Sequence, residues 1–182
     1  MSLQKVGDTY QGAAYPLTLE KPTAGEPLLG PLAVAVSPRG HLYVASIRDS
    51  GWGGANNIGT LARMEFPGDL PAGIAEVTAT ATGFNISFTK AVDAKRAADI
   101  TNYTIQSATR DSTTSYGGDD RDRRSERITA VRVSAEGRVV HLSIVEMRAG
   151  FVYDIRIRNL TLNDSTFFPA EAYYTLRKVP AE

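Results

Sequence analysis

Cysteine is absent from the 182-residue chain, and that absence removes disulfide staples, thiol nucleophiles, Cys-ligated zinc and haem held through a Cys-x-x-Cys-His motif. Histidine is nearly absent, with only His41 and His141 present, so a metal site or a general base has few candidates. No apolar run approaches the roughly 18 residues of a membrane-spanning helix, and the first residues lack the basic-then-apolar order of a signal peptide. No membrane insertion is expected. An excess of one charge is missing too, since 20 Lys+Arg face 20 Asp+Glu. Without a basic field to attract phosphates, nucleic acid is not an expected partner.

What the chain does have is apolar alternation of period two, broken by turn residues, with almost no sustained 3.6 period. The expected fold class is therefore all-β, and the length suits one medium domain or a small domain with an appendage. Residues Gly7 to Gly30 carry Gly, Pro and Thr without a period and read as an irregular arm, with a short strand at Tyr15 to Leu19. Three strands follow as a meander: Leu32 to Val36, His41 to Ile47 and Thr60 to Phe66. The first two are joined by a Ser37-Pro38-Arg39-Gly40 turn and the last two by a Gly-rich loop from Asp49 to Gly59.

Pro67-Gly68-Asp69-Leu70-Pro71-Ala72-Gly73 cannot sustain a ladder, because proline lacks the donor and glycine weakens the strand. The expected division is therefore 1–68 for arm and meander and 69–182 for a sandwich. In the second part seven strands are expected, at Ile74 to Thr80, Phe84 to Thr89, Tyr103 to Ala108, Ile128 to Ser134, Val139 to Val145, Val152 to Arg158 and Ala172 to Leu176. That count, with regular turns, fits a Greek-key sandwich. Phe84, Ile86 and Phe88 share one face, as do Val140, Leu142 and Ile144, and these supply a core. Ser134 to Arg138 suits a hairpin with Gly137 in the left-handed position, and Asp93 caps a single helical turn over Ala94, Ala97 and Ala98.

Two stretches carry a resemblance. Gly83-Phe84-Asn85-Ile86-Ser87-Phe88, Ala91-Val92-Asp93, Asn102-Tyr103-Thr104-Ile105 and Glu136-Gly137-Arg138-Val139-Val140 resemble a bacterial immunoglobulin-like module of the immunoglobulin/fibronectin-III type. Gly12-Ala13-Ala14-Tyr15-Pro16-Leu17, Val36-Ser37-Pro38-Arg39-Gly40-His41-Leu42-Tyr43-Val44, Gly51-Trp52-Gly53-Gly54 and Gly59-Thr60-Leu61-Ala62-Arg63 resemble the last blade of bacterial sorbosone/glucose-dehydrogenase-like β-propellers. In that family such a module follows the blade and ends in a stretch like Tyr173-Tyr174-Thr175-Leu176. The resemblance implies a parent that oxidises sugars with pyrroloquinoline quinone, in the periplasm or outside the cell. One blade cannot build a central pocket, so architecture carries over and catalysis does not.

No catalytic constellation is expected: both histidines fall in expected strands, and the serines lack a nearby histidine with an orienting acid. No metal site and no cofactor are expected either. The candidate ligand-binding residues are Arg48, Trp52, Asn56 and Asn57, where an indole offers a stacking face and the guanidinium and amides offer fixed donors; the plainer reading has Trp52 as packing. The run Asp119 to Arg127 alternates in sign, and although Asp119, Asp120 and Asp122 could serve calcium, the interleaved arginines favour a solvated loop. Asn85, Asn102, Asn159 and Asn163 open glycosylation sequons that turn chemistry explains sufficiently.

The expected function is a non-catalytic accessory segment whose main partner is the rest of a propeller. The alternative is a self-sufficient carbohydrate- or surface-binding sandwich. An orphaned blade would present a bare strand, so a homodimer through that edge, or the arm Tyr10 to Leu19 folded over it, is also expected.

Overall fold

The computed structural model describes residues 1–16, 30–48, 58–65, 70–111, 113–114, 118–162 and 165–181. Their strands are β1 (Ser2–Val6), β2 (Thr9–Ala14), β3 (Pro31–Val36), β4 (Leu42–Arg48), β5 (Ile58–Met64), β6 (Ile74–Ala79), β7 (Gly83–Phe88), β8 (Tyr103–Arg110), β9 (Asp120–Glu126), β10 (Ile128–Val133), β11 (Val139–Ile144), β12 (Phe151–Ile157) and β13 (Glu171–Leu176). Helix among the described residues is one α turn, α1 (Ala94–Ala97), and a 3-10 turn at Ile100–Asn102. The chain is all-β, and each pair among these named strands is antiparallel. It divides into two compact units, one of Met1–Leu17 with Pro71–Glu182 and one of Thr18–Leu70.

The first unit is a sandwich of a six-stranded sheet, in the order β1-β2-β13-β12-β8-β9, and a four-stranded sheet, β10-β11-β7-β6. Read from β6 as the first strand, this is the immunoglobulin-like A-B-E-D arrangement facing C-F-G, with β9 added beside C and the β1–β2 hairpin added beside G. Alternation decides the faces. Phe84, Ile86 and Phe88 of β7 pack inward with Val140, Leu142 and Ile144 of β11. From the six-stranded sheet come Ile105, Tyr153, Ile155, Tyr174 and Leu176. Phe84 meets the rings of Tyr153 and Tyr174 edge-on, with centroids 5.1 and 5.4 Å apart, a preferred aromatic geometry. On β12, Tyr153, Ile155 and Ile157 therefore face the core, and Val152 faces outward.

Local signals act as their chemistry requires. Asp93 Oδ1 accepts from the Arg96 amide at 2.8 Å and so caps α1. Gly137 sits at φ +63 in the β10–β11 turn, where a side chain would be strained. The Tyr153 hydroxyl accepts from the Arg148 amide at 2.7 Å, five positions upstream. This is the tyrosine-corner arrangement of immunoglobulin-like domains, and nothing in the strand pattern announced it.

The first sixteen residues are not an irregular arm belonging with the meander. They form the β1–β2 hairpin, turned at Gly7 with φ +60, and Gly12, Ala13 and Ala14 of β2 pair with Thr175, Tyr174 and Tyr173 of β13. The division expected at residue 68 thus assigned this segment to the wrong partner. Tyr10 to Ala14, expected over a meander edge, are hydrogen-bonded into the sandwich sheet; the expected strand at Tyr15 begins with two non-strand residues and then leaves the described residues. The small residues that hid the strand are required by it, because a Cβ on Gly12 would lie 1.9 Å from the Ser2 carbonyl oxygen.

The second unit holds a three-stranded meander, β3-β4-β5. Its Ser37–Gly40 turn closes through the Gly40 amide on the Ser37 carbonyl at 2.8 Å, with Gly40 at φ +80. Val44 and Ser46 on the central strand are buried, whereas β3 is exposed along its whole length.

Candidate functional site

Of the residues expected to bind a ligand, Arg48 closes β4 in register with Ile58, and Trp52, Asn56 and Asn57 lie outside the described residues. His41 is exposed just before β4, and its amide donates to Ser37 Oγ at 3.1 Å. His141 stands on the outer face of the four-stranded sheet in a polar row, Thr78, Asn85, His141 and Arg132, one residue from each strand. An amide oxygen can only accept, so His141 Nδ1–H donates to Asn85 Oδ1, at 2.8 Å. Burial, and secondarily the Arg132 guanidinium, pushes the imidazole pKa below its ordinary value. Its ring nitrogens lie against the Asn85 amide and the Thr82 hydroxyl, and among the described residues no carboxylate is hydrogen-bonded to it. Among the described residues no cluster of three or more His, Asp or Glu side chains could hold a metal.

The acidic and basic run is a strand, not a solvated loop. Asp120–Glu126 forms edge strand β9, paired with β8 from Ile105–Glu126 to Arg110–Asp120. Its charges suit an edge, where they discourage pairing with another chain. Asp120, one of the three acids weighed for calcium, is held by Arg110 at 2.6 Å and by Arg123, and these guanidiniums lower its carboxyl pKa. Glu126, the last residue of β9, turns inward: its Oε1 accepts from Ser107 Oγ at 2.5 Å and Arg124 Nε at 2.8 Å, with Arg148 at 3.6 Å. Arg148 in turn lies over the Phe151 ring, 3.7 Å from its centroid. This buried network ties the β9–β10 crossover to the β11–β12 connection, and no base-nucleophile pair arises from it.

Three of the sequon asparagines lie among the described residues. Asn85 is engaged by His141, and Asn102 is buried, its Nδ2 donating to the Arg96 carbonyl at 2.8 Å. Asn159 occupies a turn at φ +54, and Asn163 lies outside the described residues.

The outer face of the six-stranded sheet carries a groove of about 390 Å³. One cross-strand row runs Ala14, Tyr173, Asp154, Gln106 and Ser125; the next runs Gly12, Thr175, Val152 and Ala108. Ala108 and Val152 form an apolar floor, and the Tyr173 ring stands exposed at one side. Opposite it, Arg123 donates to Gln106 Oε1 at 3.2 Å and pairs with Asp120. Asp154 receives Arg156 Nε and Nη2, each at 3.0 Å. Asp154 and Gln106 carry no signal in the sequence, whereas adjacent tyrosines in one strand must face opposite sides: Tyr174 fills the core, so Tyr173 faces out.

In the second unit, Leu32, Val34 and Val36 of β3 and Leu61 of β5 are each between 65% and 71% exposed. No charged residue lies on β3, and only Pro31 and the register shift beside it interrupt its edge. Soluble proteins normally blunt a bare edge with charge, a bulge or a cover.

No family model matches the chain, and no curated protein matches it. A solved structure similar to part of it is the crystal structure of the S-layer protein rSbsC, at 21% identity and a TM-score of 0.44, covering 62% of this chain. The chain spans 14% of the length of that structure.

Proposed function

We propose that the chain is a non-catalytic accessory segment of a larger bacterial propeller protein of the sugar-dehydrogenase-like kind, periplasmic or extracellular, with the meander as a blade and the sandwich as an appended immunoglobulin-like module. The observation that supports this most is β3, an uncharged apolar strand exposed from end to end at the edge of a three-stranded antiparallel sheet. A blade has this character when its neighbours are removed, since in a propeller each sheet is covered by the next. The motif resemblance of the same strands points the same way.

The test has two arms. Reading the gene upstream of the codon for Met1 is expected to reveal further blade-like repeats in frame, and a start codon with none would contradict the proposal. Incubating the purified chain with pyrroloquinoline quinone, calcium, glucose and a dye acceptor is expected to give no turnover, and measurable turnover would overturn its non-catalytic part. A second reading, the self-sufficient carbohydrate-binding sandwich, is favoured by the groove on the six-stranded sheet.

A further inference from the structure

The geometry points to the outer-face groove of the six-stranded sheet, at Tyr173, Asp154, Gln106 and Arg123, as a binding site for an uncharged carbohydrate. The inference rests on the second reading above and narrows its expected platform, Trp52 with the tyrosines, to a site on the sandwich itself that includes Tyr173.

Three features of the groove select the ligand. Its polar rim combines acceptors and donors whose directions are already fixed. Asp154 is clamped by two parallel bonds from Arg156, and Arg123 is held between Gln106 and Asp120. A rim of this kind recognises hydroxyl groups, which donate and accept at once.

The charges around it also cancel. Arg110, Arg123 and Arg156 stand against Asp120, Asp154 and Glu171, three cations and three anions joined by ion pairs. No net field remains to attract a phosphate, a sulfate or a uronate, and an anionic ligand would have to break these pairs.

The third feature is the flat apolar surface beside the rim. The exposed part of Tyr173 continues the floor of Ala108 and Val152 and is suited to the C–H face of a pyranose. The hydroxyl proton of Tyr173 is held more tightly than usual, chiefly through burial and then through Glu171 and Asp154, so the ring stays neutral. The volume lies within the range of about 300–1,000 Å³ typical of small-molecule sites. A peptide strand is not favoured, because the face offers side chains and no unpaired backbone.

The experiment is a titration of the full ¹⁵N-labelled chain with cellohexaose, xylohexaose and mannohexaose, and with hexagalacturonate as the anionic counterpart, followed through the amide resonances. At least one neutral hexasaccharide is expected to shift Ala108, Val152 and Tyr173 selectively, with little dependence on salt, while hexagalacturonate does not. Tyr173→Ala is expected to weaken that binding about tenfold or more, Gln106→Ala to weaken it, and Tyr173→Phe to retain it. The amide spectra of the variants report whether the sheet stays intact. Neutral-glycan binding that persists in both alanine variants would overturn the groove and leave the binding-module reading standing. Stronger, salt-sensitive binding of hexagalacturonate would overturn the ligand class. Absence of binding by the wild type to all four probes would overturn both the groove and the second reading.

Discussion

The Gln4 side-chain amide pairs with the peptide unit of Ala79 in both directions: Nε2 donates to the Ala79 carbonyl at 2.9 Å, and Oε1 accepts from the Ala79 amide at 2.8 Å. A side chain here imitates a neighbouring strand. Two positions earlier on β6, the Val77 amide donates to the Tyr15 hydroxyl at 2.8 Å, and the Tyr174 hydroxyl donates to Gln4 Oε1 at 2.6 Å. Near the start of β6, Ala72 and Ile74 are served by Phe168 and Pro169. The edge of the four-stranded sheet is thereby closed by residues of the opposite sheet and its connections.

Replacing Gln4 by Ala leaves two backbone groups of β6 without partners. The expected cost is about 1–3 kcal/mol, together with faster hydrogen exchange at Ala79. Urea unfolding combined with amide exchange checks this; an unchanged exchange rate at Ala79 would mean that water replaces the clamp at no cost.

The inward Glu126 makes a different demand. Glu126→Ala leaves the largely buried Arg148 guanidinium with Ser107 Oγ, at 2.8 Å, but no counter-charge, and is expected to destabilise the sandwich by about 3 kcal/mol, whereas the paired change Glu126→Leu with Arg148→Met recovers much of the loss. Chemical denaturation of the two single variants and the double one reads this directly. A double variant as unstable as the sum of the singles would show that the network is not coupled.

These sites show where the sequence was legible and where it was not. Strands with one buried face, such as Phe84 to Phe88 and Val139 to Ile144, announced themselves by alternation, because a half-buried pleat forces period two. The Asp93 cap and the Gly137 turn were readable because their chemistry is local. β1 and β2 were not, since Gly12 and Ala13 answer to the close approach of Ser2 and Tyr174, residues distant in sequence. β9 was hidden for the opposite reason: an edge strand with charge on both faces has the composition of a loop. The loop at Trp52 stands out by its residue types, whereas the groove arises from four strands whose register alone assembles it.

His141 supplies a pH signature. Its folded pKa lies below the ordinary 6.5, so the unfolded chain binds the proton more readily. The associated stability is complete above about pH 6.5 and is lost as the pH falls towards the folded value. Thermal unfolding midpoints between pH 7.5 and 5 are expected to fall more for the wild type than for His141→Gln; parallel curves would remove the histidine from the account.

Because β3 is uncharged and exposed, edge pairing of the isolated chain with a second copy is an expected outcome. Val34→Lys, at an exposed position, is expected to reduce self-association without loss of fold. Light scattering over a concentration series checks it, and a wild type that stays monomeric throughout would contradict the expectation.

The claim that β3 is built to be covered by a preceding blade is tested most directly by hydrogen exchange of residues 31–36, measured in this chain and in the full product of its gene. Rapid exchange of the outward amides is expected in the isolated chain, and strong protection in a product that carries further blades. Equal, rapid exchange in both would contradict it.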